Sequence, residues 1–364
     1  MKILPNNSSL IYSGRIDVSD PFAIVWTYPG TFVKIRFKGN KLAVCLRNKN
    51  EYWDNYLGVV EGDVQNKLLI PKEGEATIEI PLQETPDNVH EVLIFKRQDA
   101  CHELTILGFE LDDDAELLEA SPLPKRRIEV FGDSVSAGEV SEALDYVAKA
   151  DPEHNGEYSN SWYSYAWMTA RMLDAELHDI AQGGAALLDE TGWYHAPDYI
   201  GMETIWDKMR YNPGYGTVTK WDFSKYTPDI VIVAIGQNDS HPEDYMKTDY
   251  QGEKAQNWRK HYGEFLKKIR ATYPDAWIVC CTTLLQHDIG WDMSIDQAVQ
   301  DLGDKKVSHC VFKRNGKATP GHLRIPEAEE MAKELCQHIR ALGIEGYEAS
   351  NEIDVDELLG RLRT

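Results

Sequence analysis

No stretch of this 364-residue chain approaches the ~20 consecutive apolar residues that a bilayer-spanning helix needs. Basic residues are scarce. Lys and Arg total 38 against 60 Asp and Glu, a formal charge of −22. A surface that acidic repels phosphate backbones and anionic membranes, which argues against nucleic acid or a membrane as partner. No Cys-x-x-Cys occurs among the six cysteines, Cys45, Cys101, Cys280, Cys281, Cys310 and Cys336, so neither a zinc ribbon nor a thioredoxin-like motif is signalled. All six read as reduced structural residues. The N-terminal Met-Lys-Ile-Leu-Pro-Asn-Asn lacks the apolar run and cleavage site of a signal peptide, so a cytoplasmic location is the expectation. Low-complexity sequence is also missing. With 42% apolar and 27% charged residues the composition is globular, and the length suggests two domains.

The two halves differ in periodicity. Residues 10–111 alternate with period two: Val33, Ile35 and Phe37 interleave with Lys34, Arg36 and Lys38, and Leu42, Val44 and Leu46 continue the pattern. Turn signals such as Tyr28-Pro29-Gly30, Lys38-Gly39-Asn40 and Glu61-Gly62-Asp63 separate the segments. Short alternating strands with no helical pattern between them predict an all-β jelly-roll sandwich over residues 1–122. Residues 111–124, with Asp112-Asp113-Asp114 and then Pro122 and Pro124, read as a linker.

Beyond the linker the pattern changes. Apolar strands are expected at 127–131, 177–181, 229–235 and 277–282, with helices at 161–173, 254–273 and from Pro326 onward. Continuous apolar strands alternating with helices predict a three-layer α/β/α domain with a parallel sheet over 123–345, leaving 346–364 as a tail. In such sheets ligands bind beyond the carboxyl ends of the strands. There stand Gly132-Asp133-Ser134, Gln182-Gly183-Gly184 and Gly236-Gln237-Asn238-Asp239, and Gly321-His322-Leu323 precedes the last helix. Each fragment alone is an ordinary turn or cap. Their joint placement suggests ester hydrolysis: a Ser134 nucleophile, a His322 base, and an oxyanion hole of the Ser134 and Gly184 N–H groups with the Asn238 amide. His241 and His287 compete with His322, the latter because it adjoins Asp288. Asp133 and Asp239 read as braces that accept backbone N–H bonds.

These four blocks resemble those of the SGNH (GDSL-type) hydrolase superfamily. A β-sandwich ahead of them is similar to carbohydrate esterase family 2, as are Gly14-Arg15, Tyr28-Pro29-Gly30 and Gly192-Trp193-Tyr194. The resemblance implies a carbohydrate acetyl esterase that takes O-acetyl groups from plant polysaccharides or oligosaccharides (xylan, glucomannan or mannan) and needs no cofactor or metal. It also exposes two departures. The Asp usual three residues before the histidine is Thr319, and the usual Pro after it is Leu323. A Ser134–His322 dyad is therefore expected, with His322 Nδ1 donating to a backbone carbonyl near Thr319, and Asp288 as the alternative acceptor. Trp193 and Trp291 are candidate sugar-stacking residues, Trp291 because Gly290 and Asp292 flank it in a polar loop. Two other readings stay open: a different GDSL lipase, thioesterase or lysophospholipase, and a protein whose main task is binding carbohydrate through the sandwich.

Overall fold

The computed structural model describes residues 1–353, so of the expected tail 346–364 the part from 354 onward lies outside the described residues. The chain divides into two compact units. The first is Met1–Leu123 with His154–Glu157 and Lys208–Trp221, and the second is Pro124–Glu153, Tyr158–Asp207 and Asp222–Thr364.

The first unit is a sandwich of two antiparallel sheets. One runs Ile16–Asp17, Ile24–Trp26, His102–Leu111, Leu42–Asn50 and Gly74–Glu79, and Lys2–Ile3 pairs with its His102–Leu111 strand. The other runs Glu116–Leu118, Phe32–Lys38, Val89–Lys96, Asn55–Glu61 and Val64–Ile70, and Ile11–Ser13 pairs with its Phe32–Lys38 strand. The period-two pattern does what it must on a pleated strand: Val33, Ile35 and Phe37 are fully buried between the sheets while Arg36 and Lys38 face out. The expected linker is corrected. Within it, Glu116–Leu118 pairs with Phe32–Lys38, Leu117 lying opposite Phe37. The acidic run makes the turn before this strand, where Ala115 N–H donates to the Asp112 carbonyl, and alternation then resumes.

Two stretches from later in the chain complete the first unit. Lys208–Arg210 and Thr219–Lys220 form a small antiparallel pair, and Arg210 makes a two-pronged bond to Glu103 at 2.9 and 2.8 Å.

The second unit carries a five-stranded parallel sheet in the order Ala175–Gln182, Arg126–Asp133, Ile230–Ala234, Trp277–Cys281, Val307–His309. Numbered by chain position this is 2-1-3-4-5, so the connections reverse direction between the first and third strands. Ile230–Ala234 is buried at every position, as a central strand covered on both faces must be. Tyr165–Met172 packs with Ile325–Ala341, and Glu253–Thr272 packs with Ile289–Leu302. Among the described residues no helix is long and apolar enough to cross a membrane, and all six cysteines are free.

Candidate active site

The first strand ends at Gly132-Asp133, and the chain turns at once into the single helical turn Ser134–Ala137. That turn is tight. A Cβ on Gly132 would fall 2.0 Å from Ser136 Oγ, so only glycine fits. Asp133 caps the turn by accepting the Val135 N–H at 3.0 Å. Its other oxygen accepts Gln237 Nε2 at 2.6 Å and Asn238 Nδ2 at 3.1 Å, which joins the end of the first strand to the end of the third. Burial pushes the Asp133 carboxyl up to about 7, against the pull of the Val135 N–H and of His322 and His287.

Ser134 Oγ lies 2.8 Å from His322 Nε2. On the other side of the ring, His322 Nδ1 is 2.6 Å from Asp151 Oδ2, and the His322 backbone N–H donates to Asp151 Oδ1 at 2.9 Å. Asp151 thus holds both the ring and the backbone of the histidine. Arg324, fully buried, pairs with Asp151 at 3.0 Å and donates to the His322 carbonyl. The close approach again needs glycine: a Cβ on Gly321 would sit 2.5 Å from Asp151 Oδ1.

Charge follows geometry. Burial works against the His322 imidazolium, but Glu139, Asp151 and Asp133 outweigh it and raise the ring to about 9. Burial likewise opposes the Asp151 carboxylate, and the His322 bond and charge, with Arg324, bring it down to about 2. Serine, imidazole and carboxylate therefore stand in line, with Nδ1–H fixed toward Asp151 and Nε2 left for the hydroxyl.

This corrects the expected dyad. The Thr319 carbonyl is engaged by the Gln286 N–H at 2.8 Å, while Thr319 Oγ1 accepts the Gly321 N–H at 3.3 Å. Asp288 caps the helix Ile289–Leu302 through the Gly290 N–H at 2.8 Å. Asp151 comes instead from a loop 171 residues before the histidine. The missing acid at 319 was the only hint that a carboxylate had to come from elsewhere, and nothing in the sequence separates Asp151 from Glu153 nearby.

The other competitors are engaged too. His287 Nδ1 bonds the Leu285 carbonyl at 2.6 Å, and its Nε2 faces Asp292 at 3.0 Å. His241 Nδ1 donates to the Gly192 carbonyl at 2.6 Å.

Gly184 follows the second strand with φ +75°, and a Cβ there would strike Trp193 Cβ at 2.9 Å. Asp239 ties this loop to the third strand's end by accepting the Leu187 and Leu188 N–H groups at 2.8 and 3.1 Å. Asn238 Nδ2 gives its two hydrogens to Asp133 Oδ2 at 3.1 Å and the Ala185 carbonyl at 3.0 Å. A developing oxyanion must compete with those acceptors, so Asn238 contributes less than an uncommitted amide.

The two tryptophans part company. Trp193 is 61% exposed and stacks on His241, ring centroids 3.5 Å apart. Trp291 is corrected: it is fully buried, edge-on to Tyr245 and Trp258, with Nε1 bonded to Asp244 at 3.1 Å. The apparent polar loop around it is the first turn of a helix, and Trp291 lies on the buried face. Among the described residues no group of three or more His, Cys, Asp or Glu side chains is arranged to hold a metal ion.

Comparison with known proteins gives this geometry a context. Residues 12–121 match the family described as Carbohydrate esterase 2 N-terminal, and residues 130–345 match the GDSL-like Lipase/Acylhydrolase family. The chain is 28% identical over 346 residues to the cellulase/esterase CelE of Acetivibrio thermocellus, an alignment that covers 92% of this chain and 40% of that protein. It is also 28% identical over 348 residues to the acetylxylan esterase / glucomannan deacetylase of Cellvibrio japonicus, covering 90% of this chain and 87% of that one. A family two carbohydrate esterase from Clostridium thermocellum, solved with cellohexaose, superposes with a TM-score of 0.76 at 26% identity, covering 91% of this chain and 98% of that one.

Proposed function

The chain belongs to the GDSL-like lipase/acylhydrolase family, and on that premise we propose that it is a serine esterase removing O-acetyl groups from plant polysaccharides or their oligosaccharides, with xylan, glucomannan or mannan as the backbone. One observation carries the reaction type: the unbroken line Ser134 Oγ–His322 Nε2 at 2.8 Å and His322 Nδ1–Asp151 Oδ2 at 2.6 Å. The names of the relatives support the acyl group and the sugar.

Ser134 Oγ attacks the acetyl carbonyl and passes its proton to His322 Nε2. The imidazolium so formed is held by Asp151. The N–H groups of Ser134 and Gly184, with Asn238 as a weaker partner, receive the oxyanion, and loss of one strong donor costs about 10²–10³ in rate. The tetrahedral species collapses, the sugar oxygen takes the proton from His322, and the acetyl group stays on Ser134. Water then attacks with His322 as base and releases acetate. Trp193, flat on His241 and open to solvent, offers a face for a pyranose ring.

The test is acetate release from acetylated xylan, glucomannan and mannan oligosaccharides by the wild type and by Ser134→Ala. The wild type releases acetate from at least one of them and the variant from none. Octanoate esters cleaved better than acetates would favour a lipase or thioesterase instead.

A further inference from the structure

His322 stands between two carboxylates, and the triad uses only one. Asp151 takes Nδ1. Glu139 Oε2 lies 3.8 Å from Nε2, the nitrogen that also faces Ser134. Glu139 follows the turn that begins at the nucleophile, and its backbone N–H donates to the Ser134 carbonyl at 2.9 Å. Its side chain is only 13% exposed, so its charge is poorly screened by solvent.

The position matters because Nε2 hands the proton to the departing oxygen. A leaving group within hydrogen-bond reach of Nε2, about 3 Å, lies within about 7 Å of the Glu139 carboxylate. An anion about 5 Å farther out on the leaving group lies within about 12 Å, and at that range, with an effective dielectric near 20, two like charges repel enough to slow a reaction by about tenfold or more. An uncharged sugar meets no such barrier.

We propose that Glu139 is a specificity-determining residue, restricting deacetylation to esters of uncharged sugars and rejecting those whose leaving group bears an anion beside the ester, as an acetylated uronosyl unit does. The inference rests on the esterase reading above and names the substrate class within it. The same carboxylate also acts on the base. The charged groups around His322 are Asp151, Glu139, Asp133 at the strand end, and Arg324 at the histidine's own carbonyl; Glu139, Asp151 and Asp133 all push its pKa up. Removing its charge lowers the pH at which His322 loses its proton.

The experiment compares kcat/KM for 3-acetoxybenzoate and 3-acetoxybenzamide, which present an anionic and a neutral leaving group, each normalised to its hydroxide-catalysed rate. The wild type should prefer the neutral ester by about tenfold or more. Glu139→Gln should shrink that preference to within about threefold and move the acid limb of kcat/KM downward, whereas Glu139→Asp keeps the preference. A wild type indifferent to the charge overturns the inference without any variant. So does a Glu139→Gln enzyme with unchanged preference and unchanged limb. Ser134→Ala separates the two levels: if it still turns over, the esterase reading itself fails. If it is inactive while the Glu139 readouts stay flat, only this inference fails.

Discussion

Among the described residues of the second unit, two histidine–aspartate pairs close to 3.0 Å or less, and only one has the form of a catalytic device. His322 and Asp151 are 2.6 Å apart with side chains 21% and 30% exposed, and the far nitrogen of the ring faces a serine hydroxyl. His287 and Asp292 are 3.0 Å apart with side chains 2% and 8% exposed, and the far nitrogen is bound to the Leu285 carbonyl. Asp292 is further occupied by Thr282 Oγ1 at 2.5 Å, and Thr282 bonds Asn315. The pairing alone is therefore no signature of catalysis. What separates the two is the nitrogen left over. In one pair it meets the Ser134 hydroxyl, the proposed nucleophile, and in the other a carbonyl that holds the ring still. The buried pair also anchors local structure: the His287 N–H bonds the Gly316 carbonyl, and the neighbouring Gln286 N–H bonds the Thr319 carbonyl on the chain leading to His322.

That contrast can be broken in several ways. The largest effect belongs to Ser134→Ala, which should reduce kcat by about 10⁴–10⁶ while the circular dichroism spectrum and melting temperature stay close to wild type. Turnover within a hundredfold of wild type in a clean preparation would place the nucleophile elsewhere.

A smaller effect is the pH dependence. As the proposed base His322 works in its neutral form, and its pKa is raised to about 9. Activity is thus present above that value and lost as pH falls through it, so kcat/KM on a neutral acetate ester should drop about tenfold per pH unit below the limb. An acid limb at the ordinary histidine value near 6.5 would contradict the charge environment described for the ring.

The smallest effect on turnover should come from the buried pair. Asp292→Asn replaces the carboxylate that faces His287 Nε2 with an amide and should destabilise the fold by about 1–3 kcal/mol, read by urea denaturation. The kcat of the folded fraction should stay within about tenfold of wild type. A large kcat loss with unchanged stability would give the second pair a role in the chemistry.

Much of this arrangement is legible in the sequence, for reasons that differ by element. Alternation at Val33–Phe37 and the apolar runs that became Arg126–Asp133 and Ile230–Ala234 follow from what each face of a strand must bury. Ser134, Gly184, Asn238 and His322 stand out because the sheet delivers all of them from strand ends or from the start of the last helix. The helix Ile289–Leu302 was hidden by its polar opening, Asp288, Gly290 and Asp292, and Trp291 was misplaced with it. Asp151 was invisible for a different reason. It sits in an aperiodic loop, and its role depends on the chain closing a contact across 171 positions. No local pattern records such a closure. The same holds for His154–Glu157 and Lys208–Trp221, short stretches that join the sandwich unit without any periodicity of their own.

The most direct measurement of the central contrast is the kcat of Asp151→Asn at the wild-type pH optimum, with folding checked in parallel. If Asp151 fixes the His322 tautomer and holds its positive charge, kcat falls by about 10³–10⁴ while KM changes little. A variant that keeps kcat within about tenfold of wild type would contradict the account and return His322 to a dyad without a carboxylate.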